Sequence, residues 1–208
     1  MLRQTGARPG PVYGRLTDRG IYAALREGRH GLFVELAREV AAVLEWEEAT
    51  WVAGDAAEGF NPAHDVCRLV VNAAVAMAGR SGLTTRNLEF PLEAAPRAGT
   101  SDGEAESLVL DDAGLARKAE VARGYSELDA DVRSALERFG LEAFRVEELR
   151  PVRYGFDLRG RIGDPPFYEA HGERRVREGA YDEVLRFAAH VEPLARALEA
   201  EVASRGSS

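Results

Sequence analysis

Residues Thr50 to Gly79, TWVAGDAAEGFNPAHDVCRLVVNAAVAMAG, constrain the fold more than any other stretch of the chain. The short apolar run Trp51-Val52-Ala53 reads as a buried strand. A loop follows that gathers Asp55, Glu58, Asn61, His64 and Asp65 within eleven residues. Asn61-Pro62 then signals a helix start. Asn accepts from free backbone N–H groups, and Pro suits the first helical position, where its missing N–H had no partner. The helix from Pro62 to about Ala78 is apolar nearly all round, so it belongs between a sheet and another layer. Gly79 suits its C-cap, with Gly82 the alternative if the helix runs one turn longer. Strand, polar loop and helix in this order place the loop at the C-terminal end of a strand, where open α/β sheets bind ligands.

The remaining elements fit an α/β chain. Asp18 can cap a short helix through Glu27. Gly31 to Trp46 is amphipathic, with Phe33, Leu36, Val40 and Val43 at helical spacing. Asn87 to Leu92 alternates as a strand, and Pro91 argues for an edge. Ser107 to Leu110 reads as a strand, a helix capped by Asp111 or Asp112 runs to about Arg123, a second helix spans Leu128 to Phe139, and Ala143 to Val152 is a last strand. Asp164-Pro165-Pro166 is a break. Phe167 to Glu178 is predicted helical. Tyr181 to Val202 is predicted as a long helix with Val184, Ala188, Val191, Ala195 and Leu198 as its seam, kinked or split by Pro193. This gives one domain over residues 1–155, with residues 1–17 loosely ordered, and a helical extension over 156–208.

Charge and composition narrow the function classes. The formal charge of −8 opposes a general nucleic-acid role, although six Arg in the first thirty residues face only Asp18 and Glu27. The single cysteine, Cys67, rules out an internal disulfide and fits a reducing compartment; its place on an apolar helix predicts a core position. No apolar run reaches the roughly 18 to 20 residues of a membrane span. The N-terminus lacks a signal peptide's apolar core. A cytoplasmic protein is expected, with no membrane and no nucleic-acid partner. Trp46 and Trp51 read as packing anchors, His171 as a surface residue, and His190 as lying at a packing boundary.

The loop residues carry the chemistry. Asp55, Glu58 and His64 have the donor types of a three-ligand metal site, and two carboxylates with one His suit a harder ion such as Mn²⁺ or Fe²⁺. The competing reading is structural: the carboxylates cap the loop and His64 hydrogen-bonds across it. Binding of an anion at the helix N-terminus without a metal lies between the two.

Three stretches in order resemble the PIG-L/LmbE superfamily of N-acetylglucosaminyl deacetylases. NPAH (Asn61 to His64) resembles a His-Pro-Asp-His-like motif at a strand-to-helix junction. DDAGLARKAEVARGYSE (Asp111 to Glu127) looks like the family's later helix, matched at Lys118, Ala119, Tyr125 and Ser126. LEAFRVEEL (Leu141 to Leu149) resembles its Glu-Ala-Phe strand. The resemblance covers about residues 31–152. It implies a Rossmann-like three-layer α/β core and metal-dependent N-deacetylation of an amino-sugar conjugate. It implies zinc or another divalent metal, with His64 a ligand and Asp55, Glu58 and Asp65 as ligand, base or supporting partner; Asp55 and Asp65 are the candidate catalytic carboxylates. The family's His-Pro-Asp-Asp-Glu motif is absent, and Gly124 stands where a later catalytic His is expected. A first βα unit that is lost, diverged or left off is therefore expected. The alternative is a non-catalytic binding or scaffold protein that keeps the fold without the metal.

Overall fold

A computed structural model describes residues 6–93, 105–124 and 129–204. In chain order its elements are α1 (Asp18–Arg26), α2 (His30–Trp46), β1 (Trp51–Asp55), α3 (Pro62–Arg80), β2 (Arg86–Phe90), β3 (Glu106–Val109), α4 (Asp112–Arg123), α5 (Asp129–Phe139), a 3-10 turn (Leu141–Arg145), β4 (Val146–Pro151), α6 (Phe167–Arg177), a π turn (Phe187–Val191) and α7 (Glu192–Ser204). The chain is mixed α/β, as the sequence predicts. Among the described residues no helix is long and apolar enough to cross a membrane.

The elements fall into two compact units. The larger takes its residues from 10–89 and 152–208, the smaller from 1–9 and 90–151. Residues expected as a C-terminal extension therefore share a unit with α1, α2, β1 and α3.

In the larger unit, α2 and α3 pack against each other and against α7. The contact faces are rich in small residues, Ala37 and Ala41 on α2 and Ala73, Ala74 and Ala78 on α3. Phe33, Leu69, Val191, Leu194 and Leu198 fill the space between them. Small side chains let helix axes approach, and the large ones then interdigitate with little void. The buried face of α2 is Phe33, Ala37, Ala41 and Leu44; the expected Leu36, Val40 and Val43 lie half-buried along its flank. Strands β1 and β2 are neighbours in the sheet.

In the smaller unit β3 pairs antiparallel with β4, in the register Glu106 to Leu149 through Val109 to Val146. Asp111 caps α4, its carboxylate accepting from the Gly114 N–H at 2.7 Å.

Several expectations are corrected. Thr17, not Asp18, caps α1 through its hydroxyl. Helix α3 runs past Gly79 to Arg80, so the alternative end holds and Gly82 takes the positive φ of 91°. Glu142, Ala143 and Phe144 form a 3-10 turn, and the strand begins only at Val146. The segment predicted as one helix from Tyr181 is non-helical through Arg186, then a π turn, then α7; a Pro at the second position of α7 has no N–H to continue the turn before it. Trp46 is 84 % and Trp51 58 % exposed, so neither anchors a core. Cys67 is exposed rather than core, because it points off the buried face of α3.

Candidate functional site

The strand-end loop is held from three sides. Asn61 begins α3 as expected: its Oδ1 accepts from the Ala63 N–H at 2.8 Å and from the Tyr22 hydroxyl at 2.9 Å. Asp65, 1 % exposed, turns back from the first turn of α3. Its Oδ1 accepts from the backbone N–H groups of Glu58 (3.0 Å) and Gly59 (3.2 Å). Gly59 has φ 67°, and a Cβ there would lie 2.2 Å from the Ile162 carbonyl oxygen. Both the conformation and the close approach require glycine.

Beneath the loop lies Arg68, buried to 1 %. Its guanidinium donates to the Asp55 carbonyl at 2.8 Å, to Asn87 Oδ1 at 2.8 Å and to the Leu88 carbonyl at 3.2 Å. It thereby ties the end of β1 to β2. Gly54 is what admits it, since a Cβ at that position would sit 2.7 Å from the guanidinium. Asn72 and Asn87 share a 2.8 Å bond beside it, and Asn72 donates to the Gly155 carbonyl at 2.6 Å. Buried Glu89 accepts from Tyr154 at 2.5 Å and from Arg161 at 2.9 Å. Burial of so many polar groups is tolerated because nearly every one has a partner.

On the loop's outer side, His64 Nδ1–H donates to Asp55 Oδ2 at 2.5 Å. That bond raises the imidazole pKa, against the opposing effect of burial. The bond fixes the tautomer and leaves Nε2 without a partner among the described residues. The Asp65 carboxyl is pushed up to about 6, chiefly by burial and against the two backbone N–H bonds it accepts. Its Oδ2 has no hydrogen-bond partner, nor does the buried Tyr168 hydroxyl.

The donors expected to hold a metal do not come together. Among the described residues no group of three or more His, Cys, Asp and Glu is placed to bind one. Asp55 faces His64, Asp65 faces the loop backbone, and Glu58 gives its N–H to Asp65.

Beside the loop, a groove of about 630 Å³ opens between α1, the start of α3, α6 and the segment before the π turn. Phe60 and Phe167 stack in it with centroids 4.8 Å apart and planes 6° from parallel. His171 lies 5.9 Å from Phe167, and Tyr181 lies 6.4 Å from His171. Arg19, Tyr22, Asn61 and Asp182 also line the groove. The sequence reading missed it: His171 is half-buried in this row of rings, and the rings come from segments more than a hundred residues apart with no shared spacing.

No protein-family model, curated protein or solved structure matches the chain. Of the residues that carried the family resemblance, Lys118 donates to the Phe144 carbonyl at 3.2 Å and pairs with Glu147 at 2.6 Å. Ala119 is buried on α4, and Gly124 is the C-cap of that helix. Tyr125 and Ser126 lie outside the described residues. His190 Nδ1 accepts from the Arg186 backbone N–H at 2.8 Å, a local structural role.

Proposed function

We propose that this chain binds a small molecule in the ring-lined groove, and that the strand-end loop is a rigid wall of that site. In this reading the protein is a binding protein with no metal of its own. The observation that carries it is the commitment of the loop's carboxylates. Asp65 holds two backbone N–H groups and Asp55 holds the His64 ring. The groove beside them is already open and keeps its aromatic surface exposed, as ligand sites do. The formal charge of −8 speaks against a nucleic-acid ligand.

A second reading is metal-dependent N-deacetylation of an amino-sugar conjugate, as the NPAH motif implies. One observation favours it. A carboxylate on Nδ1 with Nε2 unpartnered is the posture in which a carboxylate orients a metal-binding His.

Elemental analysis after incubation with excess Zn²⁺ and Mn²⁺, with His64→Ala alongside, separates the two. The binding reading expects no stoichiometric metal in either protein. One equivalent in the wild type that is lost in the variant overturns it in favour of the deacetylase. Release of acetate from an N-acetylglucosamine conjugate does the same.

A further inference from the structure

The groove's chemistry is uneven in a way that selects a ligand. Its surface is aromatic: Phe60, Phe167 and Tyr181 remain 44 %, 49 % and 47 % exposed. Exposed rings in a row favour a flat ring that extends the stack, worth more than the buried area alone.

Its polar groups have donors to spare. The Asn61 side-chain oxygen already accepts twice, so its amide N–H₂ has no acceptor among the described residues. The Arg19 guanidinium has no carboxylate partner among them either. Arg26, by contrast, pairs with Glu183 at 3.2 Å. Two unpaired donors next to apolar ring faces call for an acceptor that carries charge. The charge is limited, because Asp182 lines the same groove without a cationic partner among the described residues. A polyphosphate would meet that carboxylate; a single negative charge directed at Arg19 need not.

We propose that the groove takes a flat aromatic monoanion of the aryl carboxylate class. The ring lies on Phe60, Phe167 and Tyr181, and the carboxylate faces Arg19 and the Asn61 amide. This rests on the small-molecule reading above and gives it a ligand class. Phe60 and Asn61 come from the strand-end loop, but the Asp55–His64 pair is not among the residues that line the groove.

The test titrates the ¹⁵N-labelled full chain with 2-naphthoate and, separately, with its neutral isostere 2-naphthamide, following amide shifts by NMR. The expected result is saturable binding of naphthoate, with shifts gathered around the groove and naphthamide weaker by about tenfold. Arg19→Gln should bring the two ligands to about equal affinity. Phe167→Ala should weaken both by about tenfold. Tyr181→Ala, on a segment outside the helices, repeats that test if Phe167→Ala disturbs α6. Equal affinity of the two ligands for the wild type overturns the proposal and leaves small-molecule binding standing. Absence of saturable binding of either ligand also overturns it, as does wild-type affinity for naphthoate in both ring variants. The metal analysis reads the underlying function independently of all these outcomes.

Discussion

In the larger unit Phe33, Leu69, Val191 and Leu198 are all but sealed from solvent, whereas in the smaller unit α5 has no buried residue and all four residues of β3 are exposed. The sequences of the helices explain the contrast. Helix α3 carries apolar or small residues around most of its circumference and can be covered on several sides. Helix α5, DADVRSALERF, offers one thin stripe, Val132, Leu136 and Phe139, among charged neighbours. Hydrophobic stabilisation scales with area removed from water, so the larger unit holds most of the folding free energy. The smaller one relies on strand pairing and on polar contacts such as those of Lys118. The candidate site sits in the better-packed unit, whose rigidity can hold a preformed groove.

The contrast can be broken most directly at its polar centre. Arg68→Ala should destabilise the larger unit by about 3–5 kcal/mol, because it leaves the Asp55 and Leu88 carbonyls without their donor. Urea titration followed by circular dichroism measures it. Next come matched truncations. Leu69→Ala should cost about 2–5 kcal/mol, while Leu136→Ala, on the half-buried stripe of α5, should cost about 1 kcal/mol or less. Equal losses would mean that the smaller unit is a full partner in the core. Amide hydrogen exchange sharpens the same point, with α3 expected to be protected near the global limit and α5 to exchange through local opening. Gly59→Ala should cost about 2 kcal/mol or more, from the positive φ and the approach of the Ile162 carbonyl.

A further effect is on pH. Asp65 is pushed up to about 6 in the fold, above the value near 3.9 of an unfolded chain. Between those values the folded state binds more protons than the unfolded one, so the contribution of Asp65 to stability falls as pH rises from about 4 to about 6. His64 has a raised value, so its contribution is full below about 6.5 and is lost as pH rises through its folded pKa. Both groups thus favour the fold toward mildly acidic pH. Asp65→Asn keeps an acceptor for the Glu58 and Gly59 N–H groups and should flatten the slope of thermal midpoint between about pH 4 and 6. An unchanged slope in that variant would place the titration elsewhere.

Local chemistry was legible in the sequence, and long-range assembly was not. Asn61-Pro62 marked the start of α3, and the Asp111-Asp112 pair marked that of α4 without telling which of the two caps it, because both signals act within one turn. The Asp55, His64 and Asp65 cluster was found because its members lie close in sequence. Their partners were not, since nothing local tells a carboxylate whether to face a ring nitrogen, a backbone amide or an ion. No local signal marked Arg68; only the meeting of β1, β2 and α3 makes it a buried tie. The π turn and the non-helical residues before it were hidden by apolar spacing that a helix also satisfies.

The larger unit is interrupted at 90–151, yet its two sides meet: the Val152 N–H donates to the Asn87 carbonyl at 2.9 Å. Exit and re-entry thus lie side by side, and the frame closes whatever the length of chain between them. Loop-closure entropy grows only with the logarithm of length, so the cost of bringing residues 87 and 152 together depends weakly on the number of residues between them. The two ends of the interruption are near enough that a short turn could join residue 89 to residue 152 and leave the larger unit continuous.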